Sequence, residues 1–211
     1  MSKFPVPSVI QCVPQRLNWA LQIQKRLDSK LYIDLASDQD RAVFGSLMTF
    51  GGREHLHLED DIILAKNFEQ LIQPIISKYQ NEVIRFFPSQ SLFHDNTSEG
   101  KPTFKHGARF SALLCVWIPN WLPLQYIDWA LSKGHPFDDR RWCSDHSIGY
   151  FLRSRKRKFL CWYPSLVQHR IGVSAEKPRR PKDRISQFFI DELHFWNYTK
   201  QSDGTIWAER K

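Results

Sequence analysis

The residues most able to do chemistry concentrate in His55-Leu56-His57-Leu58-Glu59-Asp60-Asp61-Ile62-Ile63-Leu64. Three adjacent carboxylates repel one another, so a fold that gathers them at a strand end usually sets a cation beside them. Hard oxygen ligands suit Mg2+ or Mn2+, and such an ion can bridge to a substrate diphosphate. The competing reading is a solvated acidic turn capping the next helix, where negative charge is favoured anyway. Spacing alone leaves both open. Asp145 poses a similar choice. It follows Ser144, an N-cap candidate, and precedes the apolar face of Ile148, Phe151 and Leu152. A carboxylate there either complements the helix dipole, worth up to ~1 kcal/mol, or serves as a general base aimed into a cleft. Asp139, in the loop before it, is the substitute candidate. His169 ends a strand-like run before Gly172, as a metal ligand or as an ordinary satisfied polar residue.

The elements that must position these groups read as alternating strand and helix. Pro7 to Val13, Lys30 to Leu35 and His55 to Leu58 are strand candidates, and the acids stand at the end of the third. Leu17 to Leu27 and Asp38 to Phe50 read as helices, the second closed by Gly51-Gly52. A helix-like pattern follows the acids. Phe68, Leu71, Ile72, Ile75, Ile76 and Tyr79 form an amphipathic stripe that Pro74 should kink or split. Glu82 to Phe87, Phe110 to Ile118 and Phe159 to Val167 complete the strands, the middle one apolar enough to be central. Pro88 to Gly107 reads as a loop over a site. Pro123 to Leu131 reads as a helix. Repeated strand–helix units predict a mixed, mostly parallel sheet with helices on both faces, and ligands beyond the carboxyl ends of the strands. Val13-Pro14-Gln15-Arg16 stands where a dinucleotide fingerprint needs glycines, which argues against a nicotinamide enzyme.

Charge and composition narrow the classes. The 211 residues suffice for one full-sized domain, and 14% aromatic content argues against global disorder. No apolar run reaches the ~18–20 residues of a bilayer span, and Met1 to Ile10 lacks the pattern of a signal peptide. Cys12, Cys115, Cys143 and Cys161 are scattered, as expected of reduced thiols in a cytoplasmic protein. The net charge of +8 is uneven. Arg153, Arg155, Lys156, Arg157 and Lys158 form one run; Arg179 and Arg180, within Lys177 to Arg184, belong to another. Such runs are either solvated loops or contacts for nucleic acid, anionic membrane or acidic glycan.

Taken together, Leu58-Glu59-Asp60-Asp61 with the Asn67-Phe68 helix start resembles the acidic motif of GT-A-type glycosyltransferases. Tyr163-Pro164-Ser165-Leu166-Val167-Gln168-His169, with Gly172 and Ser174, resembles the C-terminal motif of a phage and bacterial branch of that family. Val13-Pro14-Gln15-Arg16 and the helix from Asp145 to Leu152 fit the same branch in order and spacing, over roughly Val9 to Ser174. The resemblance implies a Rossmann-related GT-A-like α/β domain over residues 1–175, with a basic C-terminal extension over 176–211. It implies a nucleotide-sugar donor with Mn2+ or Mg2+ on its diphosphate. Asp61 and His169 would hold the metal. Arg16, Asp34, Asp38, Glu59 and Asp60 would contact the donor, and Asp145 would be the acceptor-side acid. Many members have Asp where this chain has Glu59, whose longer side chain changes its reach.

For the acceptor, the basic runs and the phage-like character suggest double-stranded DNA with a hydroxymethylated base, the runs flanking an acceptor cleft. Lipopolysaccharide or another surface glycan is the rival, since anionic lipid surfaces attract the same charge. A metal-dependent nuclease or phosphatase, or a nucleic-acid-binding protein without chemistry, would also account for acids and basic runs.

Overall fold

A seven-stranded sheet organises the molecule, in the order β2-β1-β3-β7-β5-β8-β6. The structure, a computed structural model, describes residues 4–35, 39–88, 102–107, 110, 112–133, 144–170, 186, 189–191, 196–200 and 206–210, with backbone alone at 39–40, 144–145, 196–200 and 206–210. The strands are β1 Ser8–Cys12, β2 Lys30–Ile33, β3 His55–Glu59, β5 Ile84–Arg85, β6 Thr103–His106, β7 Cys115–Ile118 and β8 Lys158–Cys161, while β4 Ile62–Leu64 lies apart. β1 pairs in parallel with β2 and β3, and β5 with β8; β7 is antiparallel to β3 and β5, and β6 to β8. Five strands therefore run one way and β6 and β7 the other, giving a mixed, mostly parallel α/β sheet.

Helices cover both faces. α1 Leu17–Leu27 and α3 Phe68–Lys78 lie on one; α2 Gln39–Met48, α4 Leu122–Ser132 and α5 Ser144–Ser154 lie on the other. In α1 the buried Ala20, Ile23 and Leu27 recur at helical spacing, and Asp28 ends the helix in the left-handed region at φ 54. α3 runs unbroken through Pro74. Pro74 and Gln70, whose carbonyl loses its partner to the proline, both face solvent, so water satisfies that carbonyl. β3 is buried along His55 to Leu58 because helices close both of its faces.

The structure corrects several expectations. Between the acids and α3 lies a short strand not foreseen from sequence: Ile62 and Leu64 are buried around exposed Ile63, the period of a strand. The run from Phe159 to Val167 is two strands, β8 and β9 Val167–His169, and β9 pairs antiparallel with β4. Phe110 to Ile118 forms a strand only from Cys115, antiparallel to its neighbours. Part of the expected loop over 88–107 is β6, while residues 89–101 lie outside the described residues. Beyond residue 175 the chain returns to the main body. Phe189 is buried in the core beside α1 and α3, and Ile190 N–H donates to Ser165 O at 3.0 Å. A hairpin of β10 Trp196–Lys200 and β11 Ile206–Arg210, not foreseen from sequence, follows. Among the described residues, no helix is long and apolar enough to cross a membrane.

Candidate functional site

The acids sit where a mostly parallel sheet binds its ligands. β1, β2 and β3 all end at one edge, and Asp60 and Asp61 make the turn just beyond β3. Both are buried, at 1% and 4% exposure. Buried carboxylates need compensation, and Arg16 provides it. Arg16 closes the short 3-10 turn Pro14–Arg16 that links β1 to α1, where Pro14 presets the first residue. Its Nε lies 3.1 Å from Asp60 Oδ1, and its Nη1 donates to Asp61 Oδ2. The Val13 N–H donates to Asp60 Oδ2 at 3.0 Å, tying the end of β1 to the turn. Burial pushes the Asp60 carboxyl up to about 6, with Arg16 and the Val13 N–H opposing and Asp61 adding to the rise. Neighbouring Cys12 is pushed up to about 11 by burial and then by Asp60, which makes it an inert thiol. Cys115 and Cys161 are likewise free and buried; Cys143 lies outside the described residues.

His169 reaches the same place from more than a hundred residues away. The β4–β9 pairing sets it opposite Ile62, one residue past Asp61, and Arg170 N–H donates to Asp61 O at 2.7 Å. His169 Nδ1–H donates to Arg170 O at 2.7 Å, which turns Nε2 toward Asp61 Oδ2 at 3.3 Å. Backbone anchoring of one ring nitrogen is how ligating histidines are oriented, so Nε2 is the atom that His169 presents at the carboxylate. An oxygen and a nitrogen donor aimed at one point fit a divalent ion that takes its remaining ligands from phosphate and water. Among the described residues, no group of three or more His, Cys, Asp or Glu side chains converges in that manner.

No protein-family model and no curated protein matches this chain.

The other expected site residues divide by position. Glu59 lies at the end of β3, half-buried, paired in register with Gln11. Asp34 is buried just past β2, its N–H donating to Cys12 O at 2.8 Å, so it shares the edge with the acids. Asp38 lies outside the described residues, as do Asp139, Arg179 and Arg180. Asp145 belongs to the first turn of α5, and its side chain is not among those described. Topology nonetheless locates that turn. β8 runs parallel to β5 and therefore to β3, so the chain leaving α5 enters the sheet at the edge opposite the acids. An eleven-residue helix rises ~16 Å, which returns the start of α5 toward the acid edge.

The same register fixes the level of the first basic run in the sheet. Arg153, Arg155, Lys156, Arg157 and Lys158 are exposed, but they lie where α5 ends and β8 begins. Cys161 is level with Arg85, Val116 and His57 across the sheet, so Lys158 stands about six residues, roughly 20 Å, below Asp60. These residues do not flank the acid site. The cause is the strand direction of β8, which no reading of charge alone reveals.

Sequence reasoning places Ser165 and Gln168 within a motif but gives no role to them, nor to Arg170 and Asp191, which hold the site together. Ser165 Oγ, fully buried, donates to Val167 O at 2.6 Å and lies 2.9 Å from Phe86 O, shaping the turn into β9. Gln168 Nε2 donates to Ser186 O at 3.1 Å, and its Oε1 accepts from Ser186 N–H at 2.8 Å, the double bond of a strand partner. Asp191 Oδ2 accepts from Lys66 N–H at 2.7 Å. Arg170 Nε donates to Ile62 O at 3.3 Å and its guanidinium lies over Trp19.

Proposed function

We propose that the protein is a nucleotide-sugar-dependent glycosyltransferase of GT-A architecture. One observation carries the reading: Arg16, Asp60, Asp61 and His169, from three distant parts of the chain, converge at the carboxyl edge of the sheet. That is where a diphosphate bound over an open α/β sheet would lie. Asp61 and His169 would hold Mn2+ or Mg2+, and the ion would offset the charge that builds on the departing diphosphate. Asp60 fixes the turn through Val13, and Arg16 keeps two buried carboxylates together as anions. Asp34 and Glu59 line the same edge and are the groups for ribose and sugar hydroxyls. Asp145 is the proposed acceptor-side base, from the start of α5.

The position of Arg153 to Lys158 bears on the acceptor. That run stands roughly 20 Å below Asp60 along the strands, so its charge is no reason to place DNA at the acid edge. That favours a glycan hydroxyl, as on lipopolysaccharide or another surface glycan, over a hydroxymethylated DNA base.

The test is a panel of labelled nucleotide sugars with Mn2+ or Mg2+, offered with lipopolysaccharide core, hydroxymethylcytosine DNA and unmodified DNA. The expected outcome is metal-dependent release of sugar from one donor, and transfer of label to the glycan. Phosphodiester cleavage without sugar release would replace the reading with a nuclease. Label in the DNA alone would restore the DNA acceptor.

A further inference from the structure

The sheet edge opposite the acids carries a second feature, independent of sugar transfer. α2 ends there at Met48 and α4 begins there with Trp121 and Leu124. Met48 is 41% exposed and Leu124 56%, large apolar side chains left in water. Leu124 packs against the Gly51-Gly52 turn so closely that a Cβ on Gly52 would lie 2.8 Å from its Cγ. The Arg157 guanidinium stands 5.0 Å over the Trp121 ring. Leu124 thus covers buried Gly52, whose turn follows Met48 (Gly51 N–H donates to Met48 O at 2.8 Å), and Arg157 covers Trp121, so exposed Met48, Leu124 and Arg157 stand at one end of the molecule. Cations stand on both sides: Arg155, Lys156, Arg157 and Lys158 where β8 begins, and Arg53 just before β3 with Lys30 at the start of β2, its Nζ 4.5 Å over Phe50. Among the described residues, the acids facing the same end are Asp28, Glu54 and Glu82, with Asp128 one turn further along α4.

We propose that this end of the molecule docks on an anionic phospholipid bilayer. Exposed aliphatic side chains rimmed by Lys and Arg match the layering of such a surface, apolar just below the headgroups and anionic at them. A nucleic acid would use the cations, but it has no place for Met48 and Leu124. Its bases would also find Trp121 already covered by Arg157, instead of open for stacking. Docked this way, the acid edge points away from the bilayer, toward acceptor groups that stand off the membrane.

The test is flotation of the full chain with vesicles of phosphatidylcholine alone and of phosphatidylcholine with one quarter phosphatidylglycerol, beside a fluorescent DNA duplex. The wild type should bind the anionic vesicles and not the neutral ones. Arg155→Gln with Lys158→Gln should weaken that binding by roughly 25-fold, about fivefold for each cation near the surface. Leu124→Ser should weaken it severalfold and remove the part that survives high salt. Sugar release from the donor should be unchanged in all these variants, which keeps this outcome separate from that of the proposed activity. Equal binding to both vesicles would overturn the proposal. So would tight duplex binding that falls with the cations and ignores Leu124→Ser.

Discussion

Asp60 and Asp61 are buried side by side, and Arg16 is the cation set against both. Removing one partner from such an arrangement leaves charge uncompensated, at a cost of about 3–5 kcal/mol. Arg16→Gln should therefore lower the melting temperature by several degrees, and Mn2+ should restore part of the loss by standing in for the guanidinium. A melting temperature indifferent to Mn2+ would separate the acids from any cation site. His57 gives the protein an acid sensitivity. Burial, and then His55 on the same strand face, hold it down to about 3. Its unfolded value is near 6.5, so the unfolded chain takes up the proton first. The stability tied to neutral His57 is complete above pH 6.5 and is lost as pH falls toward 3. His57→Asn keeps a hydrogen-bonding atom near Ser46 Oγ, which lies 3.2 Å from Nδ1, but does not titrate. Urea unfolding between pH 6.5 and 4 should show a shallower decline in this variant; equal slopes would clear His57 of the effect. The acids and His169 were joined beforehand only by the resemblance; their spacing alone left each of them open. Ser165 and Gln168 had no legible role, because their work is to bond backbone that only folding brings near them.

Among the elements, α5 joins the two ends of the sheet, running from the acid edge to the basic turn. Gly107 seats it: an added Cβ would lie 2.6 Å from Leu152 Cβ and 2.7 Å from the Arg153 backbone nitrogen. Gly107→Ala must push the helix end away, at a cost of about 1–3 kcal/mol for overpacking. Equilibrium denaturation should show that loss, and a neutral substitution would mean that α5 moves freely there. At the other end of the helix, Asp145→Asn should reduce transfer by roughly 10²-fold while leaving donor binding nearly intact. Equal loss of both would make Asp145 structural. The helices were legible with the sheet order still unknown, because α1 and α3 carry clean apolar stripes. The strands β4 and β9 were not: three residues are too few for a period to stand out, and their partnership spans a hundred residues.

For the whole molecule, the sheet separates two kinds of charge. The buried carboxylates Asp34, Asp60 and Asp61 stand at one edge and the exposed run Arg153 to Lys158 at the other, and the direction of β8 sets that distance. The alternation of strand and helix was readable as an α/β fold. The antiparallel β7 and the return of Phe189 to the core were not, because both depend on long-range pairing with no local mark. The central claim is that the acid edge holds a nucleotide sugar through a divalent ion, and Asp61→Asn tests it most directly. That substitution keeps the size of the side chain and removes the charge a hard cation needs. Calorimetric titration of wild type and variant with the donor found by the screen, with and without Mn2+, is the measurement. Mn2+-dependent binding in the wild type that disappears in Asp61→Asn, with circular dichroism showing the chain still folded at the assay temperature, is the predicted result. Donor binding that persists unchanged in the variant would contradict it and leave the acids as a turn held by Arg16.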